Sequence, residues 1–335
     1  MRRIVLACLA SLALYAMLFG AVAHRPLTMG FLQARIEAKL ARGAAVIGPK
    51  LVILAGSNGP YSHRCETIEP ILGLPCVNAG VAVGIGLDYL FARWRPLLRS
   101  GDVVYLPLEL AQYVRPASAA ALGPDAAIMW RHDHATLARL PPERWVAAAF
   151  SFNLRAAVMS VIETVLVLWG FQDPRASTTG EMNAWGDQTG HTPALATRYR
   201  SVLAASRPDY PPPDAITAGD GAAVVRDFLA WAAAHGVRTV GGLPVGFEDL
   251  PLDAARLRAI ERIYTDVGAD ILMLPNHSLY PRADFFDTPG HLHEVAQHLH
   301  SIAVGERLGG LLTRTSGWPD ADGAVTSWPV KDRYR

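Results

Sequence analysis

Gly56-Ser57-Asn58 directly follows the apolar run Leu51-Val52-Ile53-Leu54-Ala55, and far downstream the chain reads Asp287-Thr288-Pro289-Gly290-His291-Leu292-His293. A serine hydroxyl acts as a nucleophile only where it is exposed and has a base to take its proton. An imidazole is that base when a carboxylate fixes its tautomer, and Asp287 with His291 offers such a pair. Taken singly each signal is weak. Ser57 would equally serve as a helix cap, and among 11 histidines one near an aspartate is expected by chance. Gly80, after Asn78, lets a backbone N–H approach a substrate oxygen closely, as oxyanion stabilisation requires, although Asn-Ala-Gly also suits a tight turn. His291, His293, His298 and His300 with Asp287 resemble a ligand cluster. Their i, i+7 spacing spreads them over two helix stripes, however, and no His-Glu-x-x-His pattern occurs, so no metal and no other cofactor is expected.

The elements around these residues alternate. Short apolar runs at residues 51–55, 75–78, 102–108, 237–243 and 270–274 read as buried strands. Helical patterns lie between them: around 65–72, at 86–98, at 222–235 before Gly236, at 253–267 before Gly268, and finally at 290–308. Strands alternating with helices predict a three-layer α/β/α sandwich around a five-stranded parallel sheet. Such sheets gather active sites at the carboxyl ends of their strands, where the Ser57 turn and the Asp287–His291 loop both fall. An insertion at 114–219 separates the third and fourth strands, and residues 313–335 form a polar tail, leaving 51–312 as the α/β domain. Within the insertion the apolar run Trp145–Phe171 is interrupted by Asn153, Arg155 and Glu163. One extra membrane crossing there would divide the sheet between two compartments, so it is read as a buried or interface-lying amphipathic helix.

Lys and Arg total 31 and Asp and Glu 30, so no polycationic surface for nucleic acid is implied. Arg2 and Arg3 precede an uncharged run from Ile4 to Ala23. Twenty residues at 1.5 Å each match a bilayer core of about 30 Å, which predicts a transmembrane anchor over residues 1–25, with a cleaved signal peptide as the alternative. The leading arginines place the remainder outside the cytoplasm in either case. Residues 26–50, with an amphipathic stretch from Phe31 to Arg42, read as a stalk. Cys65 and Cys76 are read as two buried thiols, a disulfide in an oxidising compartment being the alternative.

Together the Gly56-Ser57-Asn58 block, Gly80 and the Asp287/His291 pair resemble the SGNH, or GDSL-like, hydrolase family over residues 50–310. The stretch from Val77-Asn78-Ala79-Gly80 through Leu87, Pro96 and Gly101-Asp102-Val103-Val104 is similar to an exported bacterial subgroup, as is Asp287-Thr288-Pro289-Gly290-His291-Leu292. Met182-Asn183-Ala184-Trp185-Gly186-Asp187 with His191 resembles an insertion motif of that subgroup, without an assigned role. The resemblance implies a serine esterase or O-acyltransferase, with Ser57 as nucleophile, His291 as base and Asp287 orienting it. Its substrate would be an acyl ester, acetyl above all, on a polysaccharide or envelope component. A catalytically inactive glycan-binding protein, or an accessory of a membrane acyltransferase, is the alternative. Two departures stand out. Three residues separate Asp287 from His291 where the family has two. The third-strand block reads Leu106-Pro107-Leu108-Glu109 where the family carries an oxyanion-binding asparagine. Asn58 or Asn78 is expected to compensate; Glu109 is read as a solvated loop carboxylate or as a contact to a substrate hydroxyl or cation.

Overall fold

The computed structural model describes residues 1–20, 30–151 and 182–314, together with positions 158, 161–162, 165–166 and 168–170. The described strands form a five-stranded parallel sheet in the order β2-β1-β3-β4-β6 and a two-stranded one, β5-β7. Their ranges are β1 Leu51–Ile53, β2 Cys76–Asn78, β3 Val103–Leu106, β4 Arg238–Gly242, β5 Gly246–Phe247, β6 Asp270–Leu272 and β7 Leu279–Tyr280. β1 pairs with β2 and β3, β3 with β4, and β4 with β6, all in parallel. The mixed α/β class and the five-stranded parallel sheet thus agree with the sequence reading; the small β5-β7 pair lay beyond it.

Successive residues of a strand point to opposite faces of its sheet, and that alternation builds two cores here. Val52, Leu54, Val104 and Leu106 face a large apolar layer formed with helices Gly30–Ala45, Leu87–Trp94, Asp220–Ala234 and Ala254–Thr265. Leu51, Ile53, Val103, Tyr105, Val240 and Leu272 face the opposite layer, under helices Cys65–Leu72 and Glu294–Arg314. A third cluster joins Val245, Phe247, Phe285, Leu292 and Ala296. It anchors the loop between β7 and the last helix to the β5-β7 pair.

Two expectations about the N-terminus need correction. Among the described residues no helix is long and apolar enough to cross a membrane, which overturns the transmembrane anchor. Helix Arg2–Gly20 opens on two arginines. The helix also meets the insertion: the Tyr15 hydroxyl donates to Ala149 O at 2.9 Å and its ring lies 5.5 Å from that of Phe150. The segment read as a stalk is not free of the domain either. Helix Gly30–Ala45 buries Ile36 and Leu40 in the large core, together with Arg35 and Lys39. Lys39 Nζ donates to Asn78 O at 2.8 Å and to Gly186 O. Burial and the Arg35 guanidinium bring its ammonium down to about 7, against the pull of Asp187.

Cys65 and Cys76 are joined by a disulfide, with 5.2 Å between their Cα atoms, which corrects the reading of two buried thiols in favour of its alternative. The bond clips the start of helix Cys65–Leu72 to β2. Within the insertion, helix Pro142–Ala149 ends at Phe150, so the apolar run from Trp145 does not continue as one helix. Most of the remainder of that run, like the 315–335 tail, lies outside the described residues.

At the amino edge of the sheet Lys50 and Asp102 form a fully buried ion pair at 2.7 Å. Asp102 also accepts from the backbone N–H groups of Lys50 and Arg99, at 3.1 and 2.9 Å. Removing one member strands a buried charge, which typically costs about 3–5 kcal/mol, whereas an apolar replacement of both is tolerated. Lys50→Met is therefore expected to lower the unfolding free energy by about that amount, and adding Asp102→Leu to recover most of it. Urea denaturation of both variants checks this; equal stabilities of wild type and Lys50→Met would contradict it.

Candidate active site

Ser57 is the single residue of Leu51–Pro60 that is not buried. It occupies the N-cap position of the short helix Asn58–Ser62 with φ −66° and ψ −23°, yet its hydroxyl makes no capping bond. The capping explanation of this serine therefore fails. The turn is packed tightly from two sides. A Cβ on Gly80 would lie 2.7 Å from Gly56 O and 2.8 Å from both Gly59 Cα and Pro60 Cδ, so only glycine lets β2's exit pass under the turn. A Cβ on Gly56 would meet Glu109 Oε1 at 2.7 Å and the Val83 backbone at 3.2 Å.

The loop holding Asp287 and His291 is clamped at its base. Phe285 and Leu292 form an antiparallel bridge and are both buried in the third apolar cluster. Phe286 N–H donates to His291 O at 2.8 Å, and His293 N–H to Asp284 O at 2.9 Å. Burial of a Phe or Leu side chain is worth about 1.5–3 kcal/mol each, so the tip between them is held by its two neighbours. Within that tip His291 Nδ1 lies 2.6 Å from Asp287 Oδ1. The longer Asp-to-His spacing is thus accommodated by a bridged loop rather than a helical turn. The carboxylate fixes Nδ1 as the protonated nitrogen and leaves Nε2 as the acceptor.

Loop and turn touch. Ser62 Oγ donates to Gly290 O at 2.9 Å, Gln297 Nε2 donates to Pro60 O at 2.6 Å, and the Tyr61 ring stacks on His291 with centroids 4.1 Å apart. Tyr61 stands four residues after Ser57, one helical turn on, which is the spacing that could have flagged it. Phe286 and His191 continue the aromatic wall: His191 packs edge-on against Tyr61 at 5.2 Å and Phe286 at 5.8 Å. Burial, then the neighbouring His291, pushes the His191 imidazole down to about 4.

Glu109 completes the floor of this crevice from the end of β3. Its Oε1 is buried and without a hydrogen-bond partner. Burial pushes its carboxyl above the ordinary range, while nearby His291 and the Asn58 N–H act the other way.

Two sequence expectations do not hold in this geometry. Asn58 and Asn78 were to supply an amide for the oxyanion, but both side-chain amides are committed inside the fold. Asn58 Nδ2 donates to Pro107 O at 2.7 Å. Asn78 Nδ2 faces Gly59 O, His63 O and Asp187 Oδ1 at 3.1, 2.9 and 3.0 Å. The segment around Asp187 gains a structural place instead. Asp187 Oδ1 and Oδ2 accept from the N–H groups of Cys65 and Glu66, at 2.8 and 3.1 Å, and so cap helix Cys65–Leu72.

The four downstream histidines disperse. His293 Nδ1 accepts from Ala296 N–H at 3.2 Å, His298 Nδ1 pairs with Thr67 Oγ1 at 2.9 Å, and His300 enters a buried chain with His63. In that chain Tyr280 OH meets His300 Nδ1 at 2.8 Å, His300 Nε2 meets His63 Nε2 at 3.3 Å, and His63 Nδ1 meets Asn58 O at 3.4 Å. Asn58 O can only accept, so His63 Nδ1 carries a proton; with both imidazoles neutral, His300 Nε2 donates to His63 Nε2 and the Tyr280 hydroxyl to His300 Nδ1. Protons on both facing Nε2 atoms would set two N–H groups face to face. Nothing in the local sequence announces this pairing, because 237 positions separate the two rings.

No family model matches the chain, and neither a curated protein nor a solved structure is significantly similar to it.

Burial lowers the His63 imidazole to about 4 and the His300 imidazole well below 6.5. The unfolded chain binds protons on these rings first, so their contribution to stability is complete above about pH 6.5 and is lost as the pH falls toward 4. His300→Gln removes one of the two titrating rings. The melting temperature of this variant is expected to fall less than that of wild type between pH 7 and pH 4.5. Parallel pH dependences in a calorimetric titration would contradict the chain as described.

Proposed function

We propose that this chain is an extracytoplasmic serine esterase or O-acyltransferase of the SGNH type. Its substrate is an acyl ester, acetyl foremost, on a polysaccharide or other envelope component. The observation that carries this reading is the convergence of the Asp287–His291 pair on the turn that bears Ser57, through the Ser62–Gly290 hydrogen bond and the Tyr61–His291 stack. The Cys65–Cys76 disulfide supports a location in an oxidising compartment.

The reaction follows from the roles of these groups. Ser57 Oγ attacks the acyl carbon while His291 Nε2 takes the hydroxyl proton. Asp287, at Nδ1, stabilises the imidazolium that forms. The carbonyl oxygen becomes an oxyanion facing the backbone N–H groups of Ser57 and Gly80. His291 then returns its proton to the departing sugar oxygen. Water or a second hydroxyl releases the acyl group from Ser57, which separates hydrolase from transferase.

One further observation bears on the acyl group. A cavity of about 320 Å³, lined by Val83, Ile85, Leu87, Ala121 and Val224 among others, lies behind the Val83 wall of the Ser57 turn. It favours a second reading in which the acyl chain is longer than acetyl. The commitment of Asn58 and Asn78 to internal bonds favours a different one: a glycan-binding, non-catalytic protein that assists a membrane acyltransferase.

A fluorophosphonate probe separates these readings. Wild type is expected to be labelled and Ser57→Ala not, and Asp287→Asn to lower ester turnover by up to about 10⁴-fold, as loss of the orienting carboxylate does in serine proteases. Turnover of p-nitrophenyl acetate above that of the decanoate assigns the acetyl substrate. An unlabelled wild type retaining its biological role would sink the catalytic reading.

A further inference from the structure

Glu109 is the charged side chain that the reaction above leaves unexplained. It stands where β3 ends, after Val103–Leu106 and Pro107-Leu108. Its carboxyl is wedged between the two halves of the site. Oε1 would lie 2.7 Å from a Cβ on Gly56, and Oε2 would lie 3.8 Å from a Cβ on Gly290. The glycine preceding Ser57 thus clears the space that this carboxyl fills, and the glycine preceding His291 borders it at ordinary contact distance. Its backbone N–H is held by Gln112 Oε1 at 3.0 Å and its side chain accepts from the Gln112 N–H, a capping box on the first turn of helix Leu110–Val114. One carboxyl oxygen remains buried with no hydrogen-bond partner.

A buried polar atom without a partner costs about 1–3 kcal/mol, and more if charged, so its retention at the meeting point of turn and loop needs a reason. An ionised carboxylate at this position would oppose the reaction, because the tetrahedral intermediate develops negative charge beside Ser57. A neutral carboxylic acid would assist it, as an O–H donor in an apolar site does for other oxyanions. Asn58 and Asn78 are fully buried and turn their amides inward, to Pro107 O and to Gly59 O, His63 O and Asp187 Oδ1 respectively.

Resting on the Ser57 reading, we propose that Glu109 acts as a carboxylic acid that donates a hydrogen bond to the carbonyl oxygen of the ester undergoing attack. In the step, the Ser57 Oγ–carbon bond forms, the carbonyl π pair moves onto oxygen, and the serine proton passes to His291 Nε2. The Glu109 proton stays on its own oxygen, and its hydrogen bond shortens as charge develops. Glu109 is by this assignment a catalytic residue. The titratable group that faces it is His291, itself bonded to Asp287; from helix Asn58–Ser62 it meets the Asn58 N–H. Burial, the largest of these influences, favours the neutral acid.

The test has an activity arm and a spectroscopic arm. Glu109→Gln keeps shape and a donor but cannot ionise, whereas Glu109→Ala removes the donor. With a p-nitrophenyl ester, Glu109→Ala is expected to lose about 10²–10³-fold in kcat with KM little changed, the usual cost of one oxyanion donor. Glu109→Gln is expected to stay within about tenfold of wild type. It should also lack the alkaline decline that wild type shows as Glu109 ionises. Independently of turnover, the infrared difference between Ser57→Ala and Ser57→Ala/Glu109→Gln at pH 7 should show the C=O band of a protonated carboxylic acid. A carboxylate band in its place overturns the inference, as does a Glu109→Gln variant as inactive as Glu109→Ala while fully folded by circular dichroism. Fluorophosphonate labelling of Ser57 keeps the two ideas apart. Labelling with a carboxylate band removes Glu109 alone; absence of labelling removes the reading on which it rests and the inference with it.

Discussion

The contact between the turn leaving β1 and the loop entering the last helix is the constraint on which the site depends. Ser62 Oγ reaches Gly290 O, and Gln297 reaches back to Pro60 O, so two segments far apart in the chain share one buried hydrogen-bonded seam. Each side of the seam is stiffened separately. Gly80 admits β2's exit beneath the turn, and the Phe285–Leu292 bridge holds the loop. A nucleophile and its base carried on two loops need such independent supports, because rate falls steeply when positions drift by an ångström.

The same logic places the insertion. Asp187 caps helix Cys65–Leu72 and binds the Asn78 amide, while Gly186 O and Asn78 O share the ammonium of Lys39. The segment from the insertion and helix Gly30–Ala45 therefore brace β2 from outside the sheet, and the Cys65–Cys76 disulfide ties the strand to the helix that follows the Ser57 turn. Beneath that turn burial favours the neutral form of the His63–His300 chain, which makes the support of the site sensitive to acid.

The sheet was legible in the sequence because parallel strands buried on both faces read as short apolar runs, and all five runs became strands. Gly56-Ser57-Asn58 and Asp287/His291 were legible for a related reason: in a parallel sheet both must fall at the carboxyl edge. What failed lay beyond local pattern. The apolar run from Ile4 looked long enough for a membrane, whereas no helix among the described residues is long and apolar enough to cross one. The amphipathic stretch near Phe31 gave no sign that its Lys39 would be buried beneath Asn78. Asn58 and Asn78 carried the right chemistry for an oxyanion, but whether an amide is free depends on tertiary partners such as Pro107 O and Asp187. Glu109 stood out as a departure from the pattern the sequence resembles, and only the clearance made by Gly56 gives its carboxyl a place.

A crystal structure of the protein after reaction with a phosphonate ester tests the central claim most directly. The account predicts phosphorus bonded to Ser57 Oγ, His291 Nε2 within about 3.2 Å of that oxygen, and a phosphoryl oxygen pointing into the crevice floored by Glu109. An adduct on another residue, or a Ser57 adduct with His291 turned away from it, would contradict the account.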